Sequence, residues 1–138
     1  MDREKAAGAF VRMAYESGVQ QGLGAVSEFL EGRGSAGEEW RKAGEWTRSL
    51  STEDRRVLSF LLRQAAVQAV TGVLVNLDGV SGYCHVDGQP VEFSVAMTAV
   101  ESGAAAAASE TLTITIAPAE RGEDLHDIFF HVVASAEH

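Results

Sequence analysis

The chain predicts an α+β domain: N-terminal helices that include a long buried central one, a small mainly antiparallel sheet of about three strands, and a C-terminal helix. Three observations carry this. Apolar residues recur at helical spacing from residue 3 to residue 77, the period shortens to about two after Asp78-Gly79, and helical spacing returns from Glu123 onward. At 138 residues, 46% hydrophobic and 22% charged, the composition is that of one globular domain with a single core and excludes a disordered chain.

Within residues 3–17, Ala6, Ala7, Phe10, Val11, Met13 and Ala14 share one side of a helix. Gly18, Gly22 and Gly24 interrupt the continuing stripe of Val19, Leu23, Val26 and Leu30, so one kinked helix or two abutting ones are expected there. Glu31-Gly32-Arg33-Gly34 ends the segment. Ser35 can cap the next helix, with Glu38 as its capping-box partner, and Trp40, Ala43 and Trp46 recur on one face. Two tryptophans on a short helix more often pack it onto a neighbour than stack a ligand.

Ser51-Thr52-Glu53-Asp54 is the clearest helix start, with cap residues followed by acids in the first turn. The helix should run to about Leu77. Its second half, from Ala65, is apolar nearly all round, which predicts an element covered on most sides. Arg63, Gln64 and Gln68 interrupt the apolar run and favour a core helix over a membrane span. A strand over Val73–Leu77 is the alternative; only Gly72 separates that stretch from the helix before it.

Beyond Asp78-Gly79, residues 82–86 can form a strand. Asp87-Gly88 is a two-residue hairpin turn, and Val91, Phe93, Val95, Met97 and Ala99 alternate with more polar neighbours. Residues 101–109 read as a connection. Thr111–Ala117 is the cleanest strand, with Leu112, Ile114 and Ile116 inward and the threonines outward. Pro118 ends it, and a last helix begins near Glu123 with Leu125, Ile128, Phe129, Val132 and Ala136 inward.

Charge is unevenly shared. Residues 1–64 hold 10 Lys/Arg and 10 Asp/Glu, whereas residues 65–138 set Arg121 alone against 10 acids, so the net −9 belongs to the second half. Such a surface repels a phosphate backbone and favours a basic protein or a divalent cation. The single cysteine, Cys84, suits a reducing, cytoplasmic compartment, and the charged start Met-Asp-Arg-Glu-Lys does not read as a secretory signal.

Chemistry has few footholds. In the last helix Asp127 and His131 stand four residues apart on one face, with Ser135 a turn further on; a carboxylate beside an imidazole suits general-base work or half a metal site, and equally a solvated pair. His126 falls at the edge of the apolar arc in the first helical turn, where the dipole disfavours added positive charge; a neutral, half-buried histidine bonded to backbone or a carboxylate is expected. Asp78-Gly79-Val80-Ser81-Gly82 is not a nucleophile elbow, because it leads from helix to strand. Cys84 and His85 are adjacent in a strand and face opposite sides. No cysteine-based zinc motif, P-loop or dinucleotide fingerprint occurs, so neither a metal nor a cofactor is expected.

Val73-Leu-Val-Asn-Leu-Asp-Gly-Val80 and Glu123-Asp-Leu-His-Asp-Ile-Phe-Phe130 give the second half a likeness. It resembles small uncharacterised bacterial proteins with a Leu-Asp-Gly-Val helix end and a C-terminal Leu-His-Asp helix, and some such acidic proteins are similar to immunity or accessory proteins of toxin systems. The resemblance supplies no catalytic residues. It implies that Asp78 and His126 meet as a buried polar pair. The expectation is a cytoplasmic, non-enzymatic module that binds a basic protein partner and neither nucleic acid nor membrane, with a homodimer as a further possibility. The alternative is a small enzyme or metal-dependent binder using Asp78, His126, Asp127 and His131.

Overall fold

The computed structural model describes residues 2–33, 37–78, 84–91, 94–98, 113–117 and 123–136. It is α+β. In chain order come α1 (Arg3–Ala14), a π-helical stretch (Tyr15–Gln21), α2 (Gly22–Leu30), α3 (Glu38–Ser49), α4 (Thr52–Leu77), β1 (Cys84–Val86), β2 (Gln89–Val91), β3 (Val95–Thr98), β4 (Thr113–Ala117) and α5 (Leu125–Ser135). The chain divides into two compact units, 1–13 with 71–138, and 14–70.

In the 14–70 unit, the expected kink at Gly18 takes the form of the π-helical stretch. Gly18 is required by space, since a Cβ there would lie 2.7 Å from the Val70 methyl. Tyr15 and Val19 are buried, and the Tyr15 hydroxyl accepts a hydrogen bond from Arg63 at 3.0 Å. α2 and α3 approach closely through Gly44, where a Cβ would stand 2.4 Å from the Leu30 carbonyl oxygen. Trp40 packs on Phe29 with ring centroids 5.0 Å apart, while Trp46 stays 55% exposed and packs less than the sequence predicts. The Ser35 cap lies outside the described residues; Gly37 occupies the N-cap of α3 without a side-chain bond.

α4 starts as expected. Ser51 Oγ accepts from the Asp54 N–H at 3.1 Å and donates to the Asp54 carboxylate at 2.6 Å. The helix continues through residues 73–77, which removes the strand alternative. The expected burial does not hold, however. Val67, Thr71 and Leu74 form one buried line at i, i+4 and i+7, whereas Val57, Phe60, Leu61 and Val73 are each about half exposed or more. An all-round apolar sequence needs cover on all sides to be buried all round, and the described elements cover one. Among the described residues α4 alone is long and apolar enough to cross a membrane by length and composition.

In the other unit, Ala6, Ala7 and Val11 of α1, Leu74 of α4, Ile116 and Ala117 of β4, and Leu125, Phe129 and Val133 of α5 are all buried. Full burial of a side chain such as Phe129 or Leu74 contributes about 1.5–3 kcal/mol. Arg3 fastens α1 by donating to the Ile116 carbonyl at 3.0 Å and the Glu123 carbonyl at 3.3 Å. The inner face of α5 follows 125, 129 and 133; Ala136, expected inward, is exposed.

The expected sheet of about three strands is, among the described residues, two antiparallel pairs, β1–β2 and β3–β4. Asp87 (φ 52°) and Gly88 (φ 78°) make the predicted left-handed hairpin turn. β3 alternates as predicted, with Val95 and Met97 half-buried. A bulge falls where Val95 opposes Ala117 but Ala96 opposes Thr115. It leaves Ile116 as the extra residue, so Ile116 and Ala117 both turn inward where strict alternation would expose one of them. The connection at 101–109 and the facing of Cys84 and His85 lie outside what is described.

Candidate functional site

The polar focus of the structure lies where α4 ends and α5 begins. The Asp78 N–H closes the last turn of α4 on the Leu74 carbonyl at 2.8 Å, while its side chain reaches the start of α5. That carboxylate has no solvent exposure. Its Oδ1 accepts from the Leu125 N–H at 3.0 Å, and its Oδ2 accepts from the His126 N–H at 3.0 Å and lies 2.8 Å from His126 Nδ1. The first N–H groups of a helix have no partner within it. Here Asp78, 47 and 48 residues earlier in the chain, satisfies two of them. Asp124, the residue in N-cap position, makes no side-chain cap bond. Asp78 thus ends α4 with its backbone, as expected, and caps α5 with its side chain, through charge-assisted bonds set at the positive end of the helix dipole.

His126 has 18% side-chain exposure. Its pKa is raised above 6.5, chiefly by the hydrogen bond to Asp78 and further by the negative charges of Asp127, Asp78 and Asp124; partial burial acts the other way. The helix dipole argued for a neutral ring, but a buried carboxylate at 2.8 Å outweighs it and favours the imidazolium. With Nδ1 on Asp78 and Nε2 3.5 Å from Asp127, both ring nitrogens face carboxylates. A ring with both nitrogens committed to carboxylates suits a structural tie better than a general base, which needs a nitrogen free to take up a proton.

Three of the four candidates thus come together, and one does not. His131 does not pair with Asp127; its Nε2 lies 3.7 Å from Glu123, and the side chain is 75% exposed. Asp127 instead turns toward His126, and Ser135 donates to the His131 carbonyl at 2.8 Å. Asp124, His126 and Asp127 each offer a ligand atom within 4.8 Å of the others. The same helix N-terminus that welcomes carboxylates opposes a cation, and two of the three, His126 and Asp127, are already engaged with each other and, through His126, with Asp78.

Sequence reasoning missed a second feature, inside the 14–70 unit. A cleft of about 440 Å³ is lined by Leu23, Val26 and Leu30 of α2, Leu58 and Leu62 of α4, and the arginines Arg48 and Arg55. One signal for it was present in the sequence: Arg55 has Thr52 and Ser51 before it and Leu58 and Ser59 after it at helical spacing, with no acid among them. No family model, curated protein or solved structure matches this chain.

Proposed function

We propose that the protein is a non-enzymatic interaction module whose acidic second half engages a basic protein partner. One observation carries this reading: the acids of the two halves are treated differently. In the 14–70 unit five of the eight acids face a lysine or arginine, Glu31 with Arg33, Glu45 with Arg41, Glu38 and Glu39 with Lys42, and Glu53 with Arg56. In the second half, Asp87, Glu123 and Asp127 are exposed, and among the described residues no lysine or arginine lies within ion-pair distance of them. Exposed carboxylates that face no lysine or arginine steer a cationic partner and repel nucleic acid. A cytoplasmic setting, with an accessory or immunity-type role as in the small bacterial proteins this sequence resembles, agrees with one free cysteine and this charge.

A pull-down from cell extract at low and at high salt tests the proposal. A partner with a basic surface, recovered at low salt and lost at high salt, is the expected result. Recovery indifferent to ionic strength, or none, sinks it.

The exposed Val57, Phe60 and Leu61, at i, i+3 and i+4 on α4, favour a second reading, in which two copies associate through this face. Light scattering after size exclusion decides it: twice the chain mass supports a dimer, and the mass of one chain excludes it.

A further inference from the structure

The cleft between α2, α3 and α4 stands apart from the acidic-face reading, and its lining is chemically ordered. In the 14–70 unit, Arg33, Arg41, Lys42 and Arg56 face acids, and Arg63 donates to the Tyr15 hydroxyl. The other two cations of the unit, Arg48 and Arg55, have no acidic partner among the described residues, and both line this cleft.

Backbone carbonyls hold each of them in place. Arg48 Nη1 donates to the Leu30 carbonyl at 3.2 Å, at the end of α2, and Arg55 Nε donates to the Leu50 carbonyl at 3.1 Å, at the end of α3. A guanidinium has five N–H donors in a planar fork that matches a carboxylate. Among the described residues one donor of each is used in these bonds, which leaves both Nη groups of Arg55 and most of Arg48 for a ligand.

The remaining lining sets a direction. Leu30, Thr47, Arg48 and Arg55 meet where α2 and α3 end and α4 begins. From there Leu58 and Leu62 follow along α4, and Val26 and Leu23 back along α2, each path covering seven residues or roughly 10 Å of helix. The cleft is cationic at one end and mainly apolar toward the other, with the hydroxyls of Ser27 and Ser59 between. Its volume of about 440 Å³ falls in the range of small-molecule sites, roughly 300–1,000 Å³.

We infer that this cleft binds a medium-chain carboxylic acid, with the carboxylate on Arg48 and Arg55 and the alkyl chain along Leu58, Leu62, Val26 and Leu23. Glu31 stands at the cationic end, its charge shared with Arg33, and disfavours a doubly charged phosphate head.

Calorimetric titration of the full chain with octanoate, 1-octanol, acetate and octyl phosphate tests this, with methyl NMR to locate the ligand. Octanoate is expected to saturate one site and to shift the methyls of Leu23, Leu58 and Leu62, with octanol and acetate at least tenfold weaker. In the double variant Arg48→Gln/Arg55→Gln, octanoate weakens at least tenfold, a loss of about 1.4 kcal/mol, while octanol is unaffected. Arg55→Lys, checked by circular dichroism to be folded, recovers part of the affinity over Arg55→Gln. The inference is overturned if octanoate does not saturate, if octanol or octyl phosphate binds as tightly, if the arginine variants bind as the native chain does, or if the shifted methyls lie elsewhere.

Discussion

Asp78 shows how much one side chain can hold together when it is removed from water. Its carboxylate meets the Leu125 and His126 N–H groups and the His126 ring, and each of those bonds is charge-assisted. Replacing it with asparagine keeps the shape but removes the charge and turns an NH₂ toward a backbone N–H. Asp78→Asn should cost about 3 kcal/mol in urea unfolding; a loss below about 0.5 kcal/mol would show that the cap is not needed. The histidine makes a separate prediction. Its folded pKa lies above 6.5, so its contribution to stability is complete below the unfolded value and fades as pH rises through the folded one. The native chain should therefore lose stability relative to His126→Gln as pH climbs from below 6.5 through the raised folded pKa. An NMR titration placing the His126 pKa at or below 6.5 contradicts this. The sequence brought Asp78 and His126 together only through a family likeness, because nothing in local spacing links residues 48 positions apart. It paired Asp127 with His131 because i,i+4 spacing permits that contact, and it could not weigh the nearer imidazole of His126 against it.

At the scale of elements, glycines separate close packing from open surface. Gly44→Ala would drive a Cβ into the Leu30 carbonyl, a backbone atom that cannot rotate aside, and should destabilise by about 2 kcal/mol. Gly24→Ala meets nothing within 4 Å and should stabilise by up to about 1 kcal/mol through helix propensity. Thermal melts of the two variants shifting in the same direction would refute the contrast. α4 was legible in extent, since Ser51 and Asp54 mark its start and helical spacing carries it to Leu77. Its burial was not legible: periodicity reports which side chains are apolar, whereas cover depends on how many neighbours reach the helix. The same pattern should thus split experimentally. Leu74→Ala, on the buried line, should cost about 2–5 kcal/mol, and Phe60→Gln, at a position 58% exposed, about 0.5 kcal/mol or less. Equal losses would restore the buried helix that the sequence suggested. The bulge at Ile116 was invisible for a related reason, as an extra residue in one strand is defined only by its partner.

For the whole molecule, charge is the property the sequence displayed most plainly, and the structure adds which exposed carboxylates face no lysine or arginine among the described residues. Asp78 belongs to the ten acids of the second half but sits inside the protein against His126, so it offers nothing to a partner. The surface field rests on residues such as Asp87, Glu123 and Asp127. Exposed charges at the edge of an interface act mainly on the association rate, and salt screens them: the Debye length falls from about 10 Å at 0.1 M to about 3 Å at 1 M. Neutralising the three as Asp87→Asn/Glu123→Gln/Asp127→Asn should slow association with the recovered partner at low salt, leave dissociation nearly unchanged, and make no difference at 1 M salt. Since none of the three is buried, the variant should melt within a few degrees of the native chain. Surface-plasmon measurements at the two ionic strengths decide the matter. A change confined to the dissociation rate would place these carboxylates within a desolvated contact, and equal association rates at low salt would remove them from recognition.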